Sequence, residues 1–68
     1  MELLTIEECA ALLKVKPRTI YEMTSKRGQE RTAHPLPVLR INAKVLRFRR
    51  SDIEKWLEAL STEGSYAR

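Results

Sequence analysis

The sequence is poor in cysteine, glycine and aromatic residues, with one, two and four of them among its 68 positions. A single cysteine cannot form an internal disulfide, and with a single histidine it falls short of the four ligands of a structural zinc site. No apolar run approaches the roughly 20 residues of a membrane-spanning helix, and the start lacks the pattern of a secretory signal. These absences predict a cytoplasmic protein with no metal and no cofactor.

The length also limits what the chain can build. At 68 residues, of which 43% are apolar, it forms one small domain that buries about 60% of its unfolded surface. It has no paired carboxylates, no nucleophile beside a base and no glycine-rich phosphate loop. We therefore expect neither an enzyme nor a small-molecule substrate.

Positive charge is abundant and segregated along the chain. Residues 14–50 hold eleven of the thirteen basic side chains and only two acids, a local net charge of +9 within a total of +4. The segments on either side are both net acidic. A merely solvated surface would intersperse the two signs, whereas a concentrated basic segment is typical of proteins that bind a polyanion.

A capping box predicts the start of a first helix. The Thr5 hydroxyl can accept from the amide of Glu8, whose carboxylate can reach back to the Thr5 amide. Apolar residues then recur at helical spacing and predict a buried face of Ile6, Cys9, Ala10 and Leu13. On that face Cys9 is expected to be a small core residue rather than a nucleophile.

A second helix is predicted from residue 17 to about residue 25, because Pro17 suits a first helical position. Only residues 14–16 separate it from the first helix, with Val15 as an apolar anchor, so the pair is a helix-turn-helix candidate. Lys16 is a poor helix cap because its side chain only donates hydrogen bonds. The exposed face of the second helix is predicted to consist of Arg18, Tyr21, Glu22 and Ser25.

Residues 26–37 show no periodicity and contain one glycine and two prolines, which predicts an irregular, functional or mobile loop. His34 is expected to be a turn or surface residue rather than a ligand. Two alternating runs, residues 38–41 and 45–49, then predict a β-hairpin with a tip of three or four residues. Period 2 predicts that Leu39, Ile41, Leu46 and Phe48 are covered and that Arg40, Arg47 and Arg49 lie opposite.

A second capping box, from Ser51 to Glu54, predicts the last helix. Its apolar stripe is Ile53, Trp56, Leu57 and Leu60, and Trp56 is expected to be the largest apolar contributor to the core. Residues 61–68 are predicted to be a flexible tail after a domain of residues 1–60. The chain is therefore predicted to be mostly α with a small β-hairpin, in the order helix, helix, hairpin, helix of a winged helix-turn-helix.

Three segments resemble the excisionase-type, MerR-like helix-turn-helix proteins: residues 3–8 (LLTIEE), 13–21 (LKVKPRTIY) and 46–57 (LRFRRSDIEKWL). The resemblance covers about residues 3–60. It implies a small winged-helix DNA-binding protein of bacteria, phages or mobile elements, acting as a recombination directionality factor or a transcriptional regulator. It further implies a second helix in the major groove and a wing at the adjacent minor groove, with Arg18, Thr19, Tyr21, Lys44 and Arg47 at the DNA.

Double-stranded DNA is the predicted partner, at the nucleoid, with cooperative self-association or a recombinase as a further partner. The candidate DNA-binding residues are Lys16, Arg18, Thr19, Tyr21, Glu22, Ser25, Lys26, Arg27, Arg40, Asn42, Lys44, Arg47 and Arg49. Arg47 has an equally weighted alternative, an ion pair with Asp52. A different class of function is a winged-helix interaction module that docks on an acidic protein.

Overall fold

The computed structural model describes residues 2–62, which form four helices and a three-stranded antiparallel sheet. In chain order these are β1 (Leu3–Leu4), α1 (Ile6–Leu13), α2 (Pro17–Thr24), α3 (Lys26–Glu30), β2 (Leu39–Arg40), β3 (Leu46–Arg49) and α4 (Arg50–Thr62). The mostly helical class with a small antiparallel sheet is confirmed. The observed order adds two elements, β1 and α3, that the hydrophobic pattern of the sequence does not predict.

The first helix begins as its sequence predicts. The Thr5 amide donates to Glu8 Oε1 at 2.8 Å, and the Glu8 amide donates to Thr5 Oγ1 at 3.1 Å, so the capping box is complete. The helix ends at Leu13, and its C-cap residue Lys14 adopts the left-handed conformation with φ 59° and ψ 43°. The Val15 amide then donates to the Ala10 carbonyl at 2.9 Å and closes the helix end. This turn sets the short connection to α2.

The core centres on Phe48 rather than on Trp56. Phe48, Ile20 and Ile53 are fully buried, whereas Trp56 is only half-buried and packs against the cluster from outside. The Trp56 indole donates Nε1–H to the His34 carbonyl at 2.8 Å, which draws the ring toward the surface segment before β2. The expectation for Trp56 was therefore wrong, because its polar edge requires a partner at the rim.

Strand β3 is central, with β1 and β2 on either side. Leu46 and Phe48 are buried as predicted. In β2 the two predicted faces are exchanged, since Arg40 and not Leu39 lies directly across from Leu46. Directly opposed residues share one face of a sheet. The hairpin tip has three residues, 42–44. A tip of four residues, 42–45, would have set Leu39 opposite Phe48 instead. Ile41 is consequently 60% exposed rather than covered.

Residues 26–37 are not irregular throughout, because the first five form α3. Ser25 caps this helix, and the Gln29 side-chain amide donates to the carbonyls of Met23 at 3.0 Å and Leu36 at 2.9 Å. Leu36 is 2% exposed and belongs to the core. Local hydrogen bonds and one buried leucine thus order a segment whose composition predicted a loop.

The last helix begins at Arg50, one residue before the predicted cap, and Glu54 pairs with Arg50 at 3.3 Å instead of with Ser51. The helix continues through Thr62, two residues past the predicted domain boundary. The remainder of the predicted tail, residues 63–68, lies outside the described residues. Within residues 2–62, no helix combines the length and the apolar character needed to cross a bilayer.

Candidate nucleic-acid interface

The second helix has a buried face and an exposed polar face, as its periodicity predicts. Ile20 and Thr24 are buried, whereas Arg18, Tyr21, Glu22 and Ser25 are exposed. Tyr21 is 59% exposed, although an aromatic ring gains by burial. Lys16 precedes the helix and, as expected, makes no side-chain cap hydrogen bond. The polar face is therefore open to a ligand along the whole helix.

Arg18 and Glu22 form the only ion pair within α2 in the described part of the chain. The distance from Arg18 Nε to Glu22 Oε2 is 3.8 Å, and the two side chains are 87% and 71% exposed. A pair this long and this exposed contributes little to stability. Both side chains therefore remain available to an external partner.

Ser25 differs from its neighbours because its hydroxyl already has partners within the chain. It donates to the Glu22 carbonyl at 2.8 Å and accepts from the Gly28 amide at 3.0 Å. The hydroxyl has a single proton, so Ser25 can offer a base edge only its remaining acceptor capacity. Its main structural role is to join α2 to α3.

Arg40 connects the hairpin to α2. Its Nη2 donates to the Thr24 carbonyl at 2.8 Å, at the end of α2 where carbonyl groups lack helical partners. A cation is also favourable there because the C-terminal end of a helix dipole is negative. This bond positions the β2 strand relative to α2.

The other hairpin arginines also have internal contacts. Arg47 Nη1 donates to the Leu46 carbonyl at 2.8 Å, and Arg49 Nε lies 3.7 Å from Asp52 Oδ2. Asp52 thus pairs with Arg49, and Arg47 has no acidic partner among residues 2–62. The predicted alternative for Arg47 was therefore wrong about which arginine Asp52 pairs with.

Asn42 shapes the tip of the hairpin through its side chain. Its Oδ1 accepts from the amides of Lys44 at 2.8 Å and Val45 at 3.0 Å. Asn42 does not adopt a positive φ, since Lys14 is the one non-glycine residue in the described chain with that conformation. An Asx turn supplies the reversal instead. Lys44 projects from this tip and is exposed.

Several exposed cations have no acidic partner within 4.0 Å among residues 2–62. They are Lys14, Lys16, Lys26, Arg27, Arg31, Arg40, Lys44 and Lys55. Arg31 was absent from the predicted site, although Lys26 and Arg27 of the same segment were included. The signal that could have found it is the Ser25 cap, since a helix from residue 26 sets Arg27 and Arg31 one turn apart.

Neither a metal site nor a nucleophilic thiol has support in the described residues. No three His, Cys, Asp or Glu side chains between residues 2 and 62 gather to hold a metal ion. Burial raises the pKa of the Cys9 thiol, the opposite of what a nucleophilic thiolate requires. Cys9 is fully buried on the inner face of α1, as expected of a core residue.

Two helices joined by a short turn, with a basic hairpin fastened to the end of the second, define a helix-turn-helix domain with a wing. A family model described as a helix-turn-helix domain matches residues 3–61. The chain belongs to this excisionase-type family and is a DNA-binding helix-turn-helix protein. No significant match to the chain was found among curated proteins or among solved structures.

Proposed function

We propose that the protein binds duplex DNA with α2 in the major groove and the hairpin along an adjacent minor groove. The observation that carries this proposal is the exposed polar face of α2, where Arg18, Tyr21 and Glu22 project without burial. An α-helix with its side chains is about 10 to 12 Å in diameter, close to the width of about 12 Å of the major groove of B-DNA. The exposed face of α2 can therefore enter the groove and reach the base edges.

The residues of α2 have distinct roles in this arrangement. Arg18, in the first turn, donates to a guanine edge, and Thr19 contacts a neighbouring base or phosphate. Glu22 accepts from a cytosine amino group, so it contributes sequence preference although its charge opposes phosphate binding. Lys16 and Lys26 flank the helix and neutralise phosphates on the two sides of the groove.

The hairpin contributes through its tip. Lys44 is exposed beside the Asx turn of Asn42, and it contacts phosphate at the minor groove. Arg47 supplies a second cation on the strand behind the tip. Arg40 already donates to the Thr24 carbonyl, so it positions the wing and adds positive charge near the DNA.

The biological role proposed is site-specific recombination or transcription regulation at the bacterial nucleoid. One domain of this size covers a short site, so useful occupancy requires neighbouring copies or a partner such as a recombinase. Gel-shift titrations on a fragment with one site and a fragment with several sites test cooperativity. Equal affinity per site on both fragments would reject it.

DNA binding itself is tested by selecting sequences from a random duplex pool and then measuring fluorescence anisotropy across salt concentrations. With about 4 to 6 phosphates neutralised, the slope of log K against log salt is expected near −4 to −5. The selected duplex also reports site length and spacing. Absence of binding at 50 mM salt would reject the proposal and favour an acidic protein as the partner.

A further inference from the structure

An open groove of about 500 Å³ lies on the surface where α2 and α3 meet. It is lined by Tyr21, Glu22, Ser25, Arg27, Gly28 and Arg31. The groove combines the exposed aromatic ring of Tyr21 with the exposed guanidinium groups of Arg27, on α3, and Arg31, at its C-cap. It lies directly beside the proposed recognition face of α2, because Tyr21 and Glu22 belong to both.

The position of α3 against α2 is closely determined. A side chain at residue 28 would overlap the Glu22 carbonyl oxygen, so only glycine permits this approach of the two backbones. Ser25 bridges the helices through Glu22 and Gly28, and Gln29 ties α3 to Met23. Arg27 and Arg31 therefore project from a fixed support rather than from a loop.

The charge in the groove favours an anion. Arg27 and Arg31 have no acidic partner among residues 2–62, and at i, i+4 their Cβ atoms are about 5 to 6 Å apart. Glu22 is the acid of the groove, but its carboxylate is 3.8 Å from Arg18 Nε. The lining is net positive, and arginine is well suited to phosphate because its donors form a planar fork.

We propose that Arg27 and Arg31 bind the phosphates of the DNA strand that borders the major groove, with Tyr21 packed against the same backbone. This inference rests on the proposed function and adds a second set of phosphate contacts to those of the wing. Because α3 follows directly after α2 in the chain, its cations lie beyond the residues of α2 that face the base edges, where the nearest DNA groups are the phosphates of the bordering strand. These contacts raise affinity for all sequences alike.

The test uses fluorescence anisotropy of a mixed-sequence 30-base-pair duplex between 50 and 200 mM salt. The Arg27→Gln/Arg31→Gln variant is compared with wild type, with Lys55→Gln as a control that removes an exposed charge outside the groove. Loss of two phosphate contacts makes the log-log slope shallower by about 1.8, so wild type loses about 12-fold more affinity than the variant over this range. Arg27→Lys/Arg31→Lys is expected to retain the wild-type slope, and thermal unfolding by circular dichroism confirms that each variant is folded.

The outcomes separate this inference from the proposed function. A shallower slope for the glutamine variant, with Lys55→Gln unchanged, supports the inference. A wild-type slope for the folded glutamine variant overturns the inference, while DNA binding by α2 stands. The inference is also overturned if Lys55→Gln makes the slope shallower by as much per charge removed as the glutamine variant does. Failure of wild type to bind the duplex at 50 mM salt rejects both proposals together.

Discussion

The helical side of the basic segment and its hairpin side use their cations differently. On α2 and α3, Arg27 and Arg31 have no acidic partner in the described chain, and Arg18 has only a long, exposed one. On the hairpin, Arg40 and Arg47 donate to carbonyl groups, and Arg49 lies beside Asp52. Residues 17–31 and residues 38–49 each hold four basic side chains, yet the hairpin arginines already contact groups within the chain.

Charge density alone therefore does not define a binding surface. Helices satisfy most of their own backbone carbonyls, so cations on a helical face are free for an external anion. A small sheet beside helix ends leaves carbonyls and acids within reach of long side chains. We therefore expect substitution of the exposed cations of the helices to change DNA affinity, and substitution of the hairpin arginines to change stability.

Gly28→Ala is expected to have the largest effect, because it pushes apart the helices that carry the free cations. The added methyl overlaps the Glu22 carbonyl oxygen, and overpacking against backbone costs about 3 kcal/mol of unfolding free energy. For a domain of this size the melting temperature falls on the order of 15 °C, measured by circular dichroism. Glu30→Ala, at an exposed position of α3, is the control, and a similar small change in both variants would contradict the close approach.

Arg18→Ala tests the helical side directly. Loss of a base contact should cost about 2 kcal/mol, or about 30-fold, in affinity for a selected duplex, with much less loss on mixed-sequence DNA. Because the Arg18 side chain is 87% exposed, the melting temperature should not change. Anisotropy titrations on the two duplexes measure the ratio. Equal losses on both would mean that Arg18 contacts phosphate rather than a base.

Arg40→Gln tests the hairpin side. It removes a charge-assisted hydrogen bond to the Thr24 carbonyl, and the unfolding free energy should fall by about 1.5 kcal/mol in urea denaturation. Lys44→Gln removes the same charge from the exposed tip and should leave stability unchanged while weakening DNA binding. If the two variants unfold at the same urea concentration, the Arg40 hydrogen bond to Thr24 does not stabilise the fold, and the hairpin arginines are as free as those of the helices.

Lys14→Gly tests the turn that leads into α2. A lysine in the left-handed region costs about 1 to 2 kcal/mol, and glycine recovers part of it after its larger unfolded-state entropy is counted. The expected gain is about 0.5 to 1 kcal/mol in the same denaturation assay. Lys14→Ala keeps a β-carbon and should gain nothing, so equal gains in both variants would show that lost charge, not backbone strain, is responsible.

Cys9 should give the smallest effect, one confined to alkaline solution. Burial raises the pKa of its thiol above the ordinary value, so as pH rises the folded state retains the proton longer than the unfolded state does. Its contribution is then constant below pH 9 and declines as pH rises beyond that value. The difference in unfolding free energy between wild type and Cys9→Ala should be flat from pH 6 to 8 and shrink above pH 9. A decline already at pH 7 would contradict a buried neutral thiol.

Much of the fold follows from local patterns. The capping box at Thr5, the proline at the start of α2 and the apolar stripe around Ile53 each predict a helix that the structure contains. These signals are local because helical hydrogen bonds join residues four apart. The two faces of α2 follow from the same periodicity, and so does the exposure of Arg18 and Tyr21.

Other features depend on contacts between distant segments. Strand β1 is two residues long and exists because β3 lies beside it. Helix α3 depends on a glycine that meets the backbone of α2, and Leu36 is buried only because a pocket in the core receives it. The spacing of apolar residues within 26–37 could not predict these contacts, since each contact joins groups that lie on different elements.

The sequence by itself determined that this is a small helical domain with a basic middle segment, because charge composition and helical periodicity are properties of neighbouring residues. Tertiary structure decided which cations remain free. A three-residue hairpin tip turned Arg40 toward the end of α2, and a close approach at Gly28 set Arg27 and Arg31 beside Tyr21. A cation is most available to DNA when no short internal contact holds it, and those distances are defined only after the chain has folded.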